Sequence, residues 1–165
     1  MVGLIRCILL FFTIVTYSQQ HILIGDSQTY LLAKHSTKIK RVSKLSQPGI
    51  GVVQLTYKVR LYPVSPHVNT VSLCIGVNDG YKDRGVQQLL VRIKNTFPNA
   101  KIYIIQGSWG WGKVRRANQN TLNKYYKQYI NSGCILISPA IGRGDPHRDK
   151  IIYKTIIKNL ENQIQ

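Results

Sequence analysis

The sequence predicts an α/β sandwich built on a parallel sheet. Three observations lead there. Short apolar runs, at 21–24, 68–75, 100–106 and 134–138, alternate with stretches whose apolar residues recur at helical spacing. Several runs end in turn chemistry, Gly-Asp-Ser after the first and Gly-Val-Asn-Asp-Gly after the second. At 165 residues the chain is long enough to bury one full core without staples, so one domain is expected.

Residues 1–18 read as a secretory leader. Arg6 closes a short basic start, residues 7–15 form a nine-residue apolar run, and Thr16-Tyr17-Ser18 puts small residues at −3 and −1 of a cut before Gln19. The run is too short to span a bilayer in the usual way. The mature domain is then 19–165, secreted, with a retained N-terminal anchor as the alternative.

The first apolar run, Ile22-Leu23-Ile24, reads as a buried strand ending at Gly25-Asp26-Ser27, and residues 28–34 as a short helix. Residues 37–45 read as a basic edge strand. Ser46-Gln47-Pro48-Gly49-Ile50-Gly51 is turn chemistry. A short helix is expected within 52–61, and Pro63 and Pro66 mark a connection. Residues 68–75 are the clearest buried strand. Val86, Leu89, Leu90 and Ile93 place an amphipathic helix over 83–97. A strand over 100–106 leads into Gly107-Ser108-Trp109-Gly110-Trp111-Gly112, which holds both tryptophans of the protein. A Gly-rich loop cannot easily bury two indoles, so Trp109 and Trp111 are expected beside a ligand, their flat faces against a sugar or an acyl chain. A helix over 114–130 would begin with Arg115 and Arg116, which oppose its dipole and so suggest a ligand role. A last strand at 134–138 and a helix at 148–164 complete the chain.

Composition narrows the function. A hydrophobic fraction of 44% excludes disorder. Lys plus Arg number 23 against six acids, a net charge of +17 that predicts attraction to acidic glycans, anionic membranes or nucleic acid. No recognised nucleic-acid motif occurs, and secretion argues against that partner. No Cys/His spacing suggests zinc, and no metal or cofactor is expected. Removal of Cys7 with the leader leaves Cys74 and Cys134, both in apolar runs.

The small residue held at the carboxyl end of the first strand makes Ser27 a candidate nucleophile. Gly25-Asp26-Ser27, the Gly76-x-Asn78-Asp79 block and the late Asp145-Pro146-His147 together resemble the SGNH (GDSL-type) hydrolases, over about residues 21–160. That family has a Gly-Asp-Ser block, a lone Gly, a Gly-x-Asn-Asp block and an Asp-x-x-His block in this order. Gly76-x-Asn78-Asp79 is the most specific match. Asp145 and His147 depart from the pattern, being two residues apart and not three.

The resemblance implies a three-layer, flavodoxin-like sandwich with a five-stranded parallel sheet. In its strand order Cys74 and Cys134 lie on strands that flank a third, so both are expected as buried free thiols. It also implies a serine esterase. Ser27 would attack the ester carbonyl, His147 would take and return its proton, and Asp145 would orient His147. The oxyanion donors would be the N–H groups of Ser27 and Gly49, with Gly51 the alternative, and the Asn78 amide. Asp26 and Asp79 are expected to hold their turns. Pro146 favours an extended Asp145, and in extended chain residues two apart share a side. Asp145-Pro146 is equally a helix start, in which case Asp149 would replace Asp145 or His147 would work without a carboxylate. Expected substrates are an acylated, acidic carbohydrate or a lipid ester. A polyanion-binding protein that has lost the chemistry is the competing class.

Overall fold

The computed structural model describes residues 20–106, 110–111, 114–115, 117–138 and 150–164. The expected leader, Trp109, Arg116, Asp145, His147 and Asp149 lie outside them. The elements run β1 (Gln20–Gly25), α1 (Gln28–Ala33), β2 (Ile39–Ser46), α2 (Val52–Arg60), β3 (Val68–Cys74), α3 (Val86–Thr96), β4 (Lys101–Ile105), β5 (Gly110–Trp111), β6 (Val114–Arg115), α4 (Gln119–Asn131), β7 (Ile135–Ile137) and α5 (Lys150–Gln163).

Five strands form one sheet in the order β2-β1-β3-β4-β7, and every neighbouring pair is parallel. Strand alternation sends successive side chains to opposite faces. Ile22 and Ile24 of β1 join Val71 and Leu73 of β3 beneath α2, α3 and α4. Leu23 points the other way and joins Tyr103 and Ile105 beneath α1 and α5. Two apolar faces on one sheet require two helix layers, which is the expected three-layer sandwich. Each fully buried Leu or Ile contributes about 1.5–3 kcal/mol.

The helix expected to start at 114 starts at Gln119. Asn118 is extended, and its side-chain oxygen accepts from the Thr121 N–H at 2.9 Å, a better N-cap than anything upstream. Residues 110–111 and 114–115 pair instead as a short antiparallel ladder. Arg115 therefore lies on β6 and not at a helix start, and its dipole argument falls. Cys74 ends β3 and Cys134 immediately precedes β7, with β4 between the two strands. Both are buried and unpaired. Burial raises both thiol pKa values, Cys134 to about 11, so neither is a thiolate at neutral pH. No helix among the described residues is long and apolar enough to cross a membrane.

Candidate functional site

In the order 2-1-3, β2 and β3 lie on opposite sides of β1, so the chain changes direction across the sheet there. Such a switch point opens a crevice at the carboxyl ends of the strands. The register brings three loops to it. Gly25 pairs with Cys74 of β3 on one side and with Ser46 of β2 on the other. Asp26 N–H donates to Cys74 O at 2.9 Å, and Gln47 N–H to Gly25 O at 3.0 Å. The Gly-Asp-Ser turn, the 47–51 loop and the Gly-x-Asn-Asp turn thus leave the sheet side by side.

Gly25 is required by space as well as conformation. Its φ is +133°, and a Cβ there would lie 1.8 Å from Cys74 O. Asp26 follows, fully buried. Its Oδ1 accepts from Gln28 N–H at 2.9 Å, so Asp26 satisfies a donor at the start of α1. The N-cap position itself is Ser27, helical at φ −58°, ψ −27°, and its side chain makes no capping bond. The division of labour leaves the half-buried serine out of the cap. Asp26 Oδ2 is buried without a hydrogen-bond partner. Burial, and secondarily the Asp79 charge, raise the Asp26 pKa to about 7 against the pull of the Gln28 N–H.

After β3 the chain makes a single 3-10 turn, Val77–Asp79. Tyr81 then adopts φ 58°, the one positive φ at a non-glycine among the described residues. The turn buries its ring edge-on against Tyr125, 5.5 Å between centroids. Anchored there, the turn reaches back to the 47–51 loop twice. Asn78 Nδ2 donates to Ile50 O at 2.9 Å. Asp79 Oδ2 accepts from Val52 N–H at 2.7 Å, at the start of α2. Asp79 is therefore a loop-holder, as the sequence suggests. The Asn78 amide retains a second N–H.

The two glycines of the 47–51 loop differ. Gly49 is exposed, at φ +76° in a turn closed by Ile50 N–H to Gln47 O, and a Cβ there would meet nothing within 4 Å. Gly51 begins α2, and a Cβ there would collide with the Asp79 carboxylate. Its N–H donates to Gln54 Oε1 at 3.0 Å. A cavity of about 430 Å³ is lined by Gly49, Gly51, Val53, Gln54, Asn78 and Asp79. Ser27 is not among its walls and joins this pair through the strand register. Sequence reasoning missed Gln54 and Tyr81; the only signal for either was position, three residues into α2 and directly after Asn-Asp-Gly. Trp111 lies on β5. Trp109, Asp145, His147 and Asp149 fall outside the described residues. Among the described residues no group of His, Cys, Asp or Glu is placed to hold a metal.

No family model and no curated protein matches the chain by sequence. Solved structures match it by shape. An acetyl xylan esterase, AlAXEase, superposes with a TM-score of 0.62 at 16% identity, covering 88% of this chain and 100% of its own. A lipolytic protein of the G-D-S-L family from Veillonella parvula DSM 2008 gives 0.57 at 11%, covering 88% and 97%. An active-site mutant of a family two carbohydrate esterase from Clostridium thermocellum gives 0.59 at 13%, covering 88% and 63%. Likeness at these identities concerns the fold: this chain has the fold of the GDSL-type hydrolases.

Proposed function

We propose that the chain is a secreted SGNH-type hydrolase of carboxylic esters, with an acylated carbohydrate as its substrate class. One observation carries the reading. The pairing of Gly25 with both Ser46 and Cys74 supports it, because the turns that follow, which carry Ser27, Gly49 and Asn78, leave the same end of the sheet although they lie 22 to 51 residues apart in sequence.

In this reading Ser27 Oγ adds to the ester carbonyl while His147 accepts its proton. The carbonyl oxygen becomes an oxyanion held by the Ser27 N–H, a glycine N–H of the 47–51 loop and the free N–H of Asn78. Collapse expels the alcohol, which takes the proton back from His147. Water, deprotonated by the same imidazole, then hydrolyses the acyl-serine. Asp145 orients His147. Gly49, with open space before it, and Gly51, whose N–H is shared with Gln54, are the two choices for the loop donor. Trp109 and Trp111 contact the sugar or acyl group, and the +17 charge favours an acidic glycan.

The test is hydrolysis of p-nitrophenyl acetate by the wild type and by Ser27→Ala, with covalent labelling by a serine-reactive phosphonate. Loss of both in Ser27→Ala is expected. Full activity in that variant refutes the mechanism. A second reading, a lipid ester as substrate, is favoured by an exposed apolar strip on α2 and α3. There Val53, Tyr57 and Val91 are 58%, 55% and 54% exposed, and Val53 also lines the cavity beside Asn78. Rates on short against long acyl chains separate the two. The competing class, a polyanion-binding protein without chemistry, is favoured by the short Asp145–His147 spacing. It requires that the wild type neither hydrolyses esters nor takes the phosphonate.

A further inference from the structure

The opposite edge of the sheet carries a second cavity, of about 420 Å³, where β1, β2 and β3 begin. Its size falls within the roughly 300–1,000 Å³ of ligand pockets. Tyr62 and Phe97 form an aromatic part of its wall, their rings 5.8 Å apart at 44°. Its basic lining is His21, Lys38, Lys40 and His67, and it holds no carboxylate. Ile39 of β2 is buried in the layer beneath α1 and α5, so alternation sends Lys40 to the face covered elsewhere by α2 and α3. Val42, two residues on, packs into that layer as expected. Lys40 instead occupies the open corner. No ion pair neutralises Lys38 or Lys40 among the described residues; the pair found there is Lys124 with Asp83. His21 Nδ1 is buried without a hydrogen-bond partner. The ring itself is one wall of the cavity. Burial, then the Lys38 charge, lowers the His21 pKa, which matches a site with surplus positive charge.

We propose that this cavity binds one anionic sugar unit of an acidic glycan, apart from the ester-cleaving edge. Lys38 and Lys40 take its carboxylate or sulfate, and the Tyr62–Phe97 wall takes the apolar face of the ring, with His21 beside them. The site is distinct from the crevice by construction: His21 and Ser27 lie six residues apart on and just beyond one strand, roughly 20 Å at about 3.3 Å per residue. A polymer long enough to touch both edges would be held by two weak contacts acting together. The assignment needs no ester chemistry and stands or falls separately from it.

The experiment is calorimetric titration of the full chain with a galacturonate hexasaccharide, against neutral xylohexaose and inorganic phosphate. Two double variants remove equal charge: Lys38→Gln with Lys40→Gln at the cavity, and Lys154→Gln with Lys158→Gln on α5. The cavity variant is expected to bind the galacturonate about tenfold or more weakly, the α5 variant within about twofold of wild type. Hydrolysis of p-nitrophenyl acetate should be the same in all three proteins. Equal weakening in both variants would mean diffuse attraction by net charge and overturn the site. Displacement of the hexasaccharide by equimolar phosphate, or equal binding of xylohexaose, would overturn its assignment to an acidic sugar.

Discussion

Replacing Asp26 by asparagine should change how stability depends on pH. The carboxyl is fully buried, keeps one hydrogen bond, and titrates at about 7 in the folded chain against its ordinary 3.8. Between those values the unfolded chain has lost the proton and the folded chain retains it. Stability therefore falls as pH rises through that window, and the loss is complete somewhat above pH 7. At 1.36 kcal/mol per pH unit the gap is worth about 4 kcal/mol, an upper figure because water penetration and relaxation reduce it. The amide of the Asp26→Asn variant would keep the oxygen that accepts from Gln28 but has no charge to lose. Its NH₂ would sit where Oδ2 has no partner, a constant cost of about 1–3 kcal/mol. The informative quantity is thus the difference between variant and wild type across pH, from which the four histidines and other titrating groups cancel. Urea unfolding at pH 4.5 to 8.5 should show Asp26→Asn gaining about 2–4 kcal/mol on the wild type over that range. A difference that stays flat within about 0.5 kcal/mol would refute the buried, proton-holding carboxyl.

Other consequences concern the same edge. Asn78→Ala should cut ester turnover about 10²–10³-fold, and should also cost about 1 kcal/mol of stability through the lost bond to Ile50 O; turnover and melting temperature measure the two separately. Asp145→Asn should lower turnover by about 10⁴ if its carboxylate orients His147, and should cost about 1 kcal/mol of stability with unchanged rate if it only caps a helix. Gly51→Ala must displace the Asp79 carboxylate and should cost about 1–3 kcal/mol, whereas Gly49→Ala meets open space and should cost about 1 kcal/mol for its φ of +76°, as comparison of their urea midpoints will show.

Much of this was legible in the sequence because it rests on local rules. The runs Ile22-Leu23-Ile24 and 68–75 become strands because only a sheet apolar on both faces buries them. Val86, Leu89, Leu90 and Ile93 become the inner stripe of α3 because 3.6-residue spacing aligns them. The start of α4 at Gln119 is not legible in the sequence, because two weak local signals, the 110–115 ladder and the Asn118 cap, decide it and no period distinguishes them.

The sequence by itself determined the layers and the identities of the three turns, since apolar spacing and glycine positions are properties of the chain alone. Only the tertiary structure decided that those turns meet. The meeting depends on register: Gly25 opposite Cys74 and Ser46 sets Asp26, Gln47 and Ile75 level, and a slip of one residue would send every strand side chain to the wrong face. Burial was equally invisible beforehand. Nothing in Gly-Asp-Ser states that its aspartate loses all contact with water, or that Lys40 on β2 would be left facing an open corner; both follow from which helices the strand order places overhead.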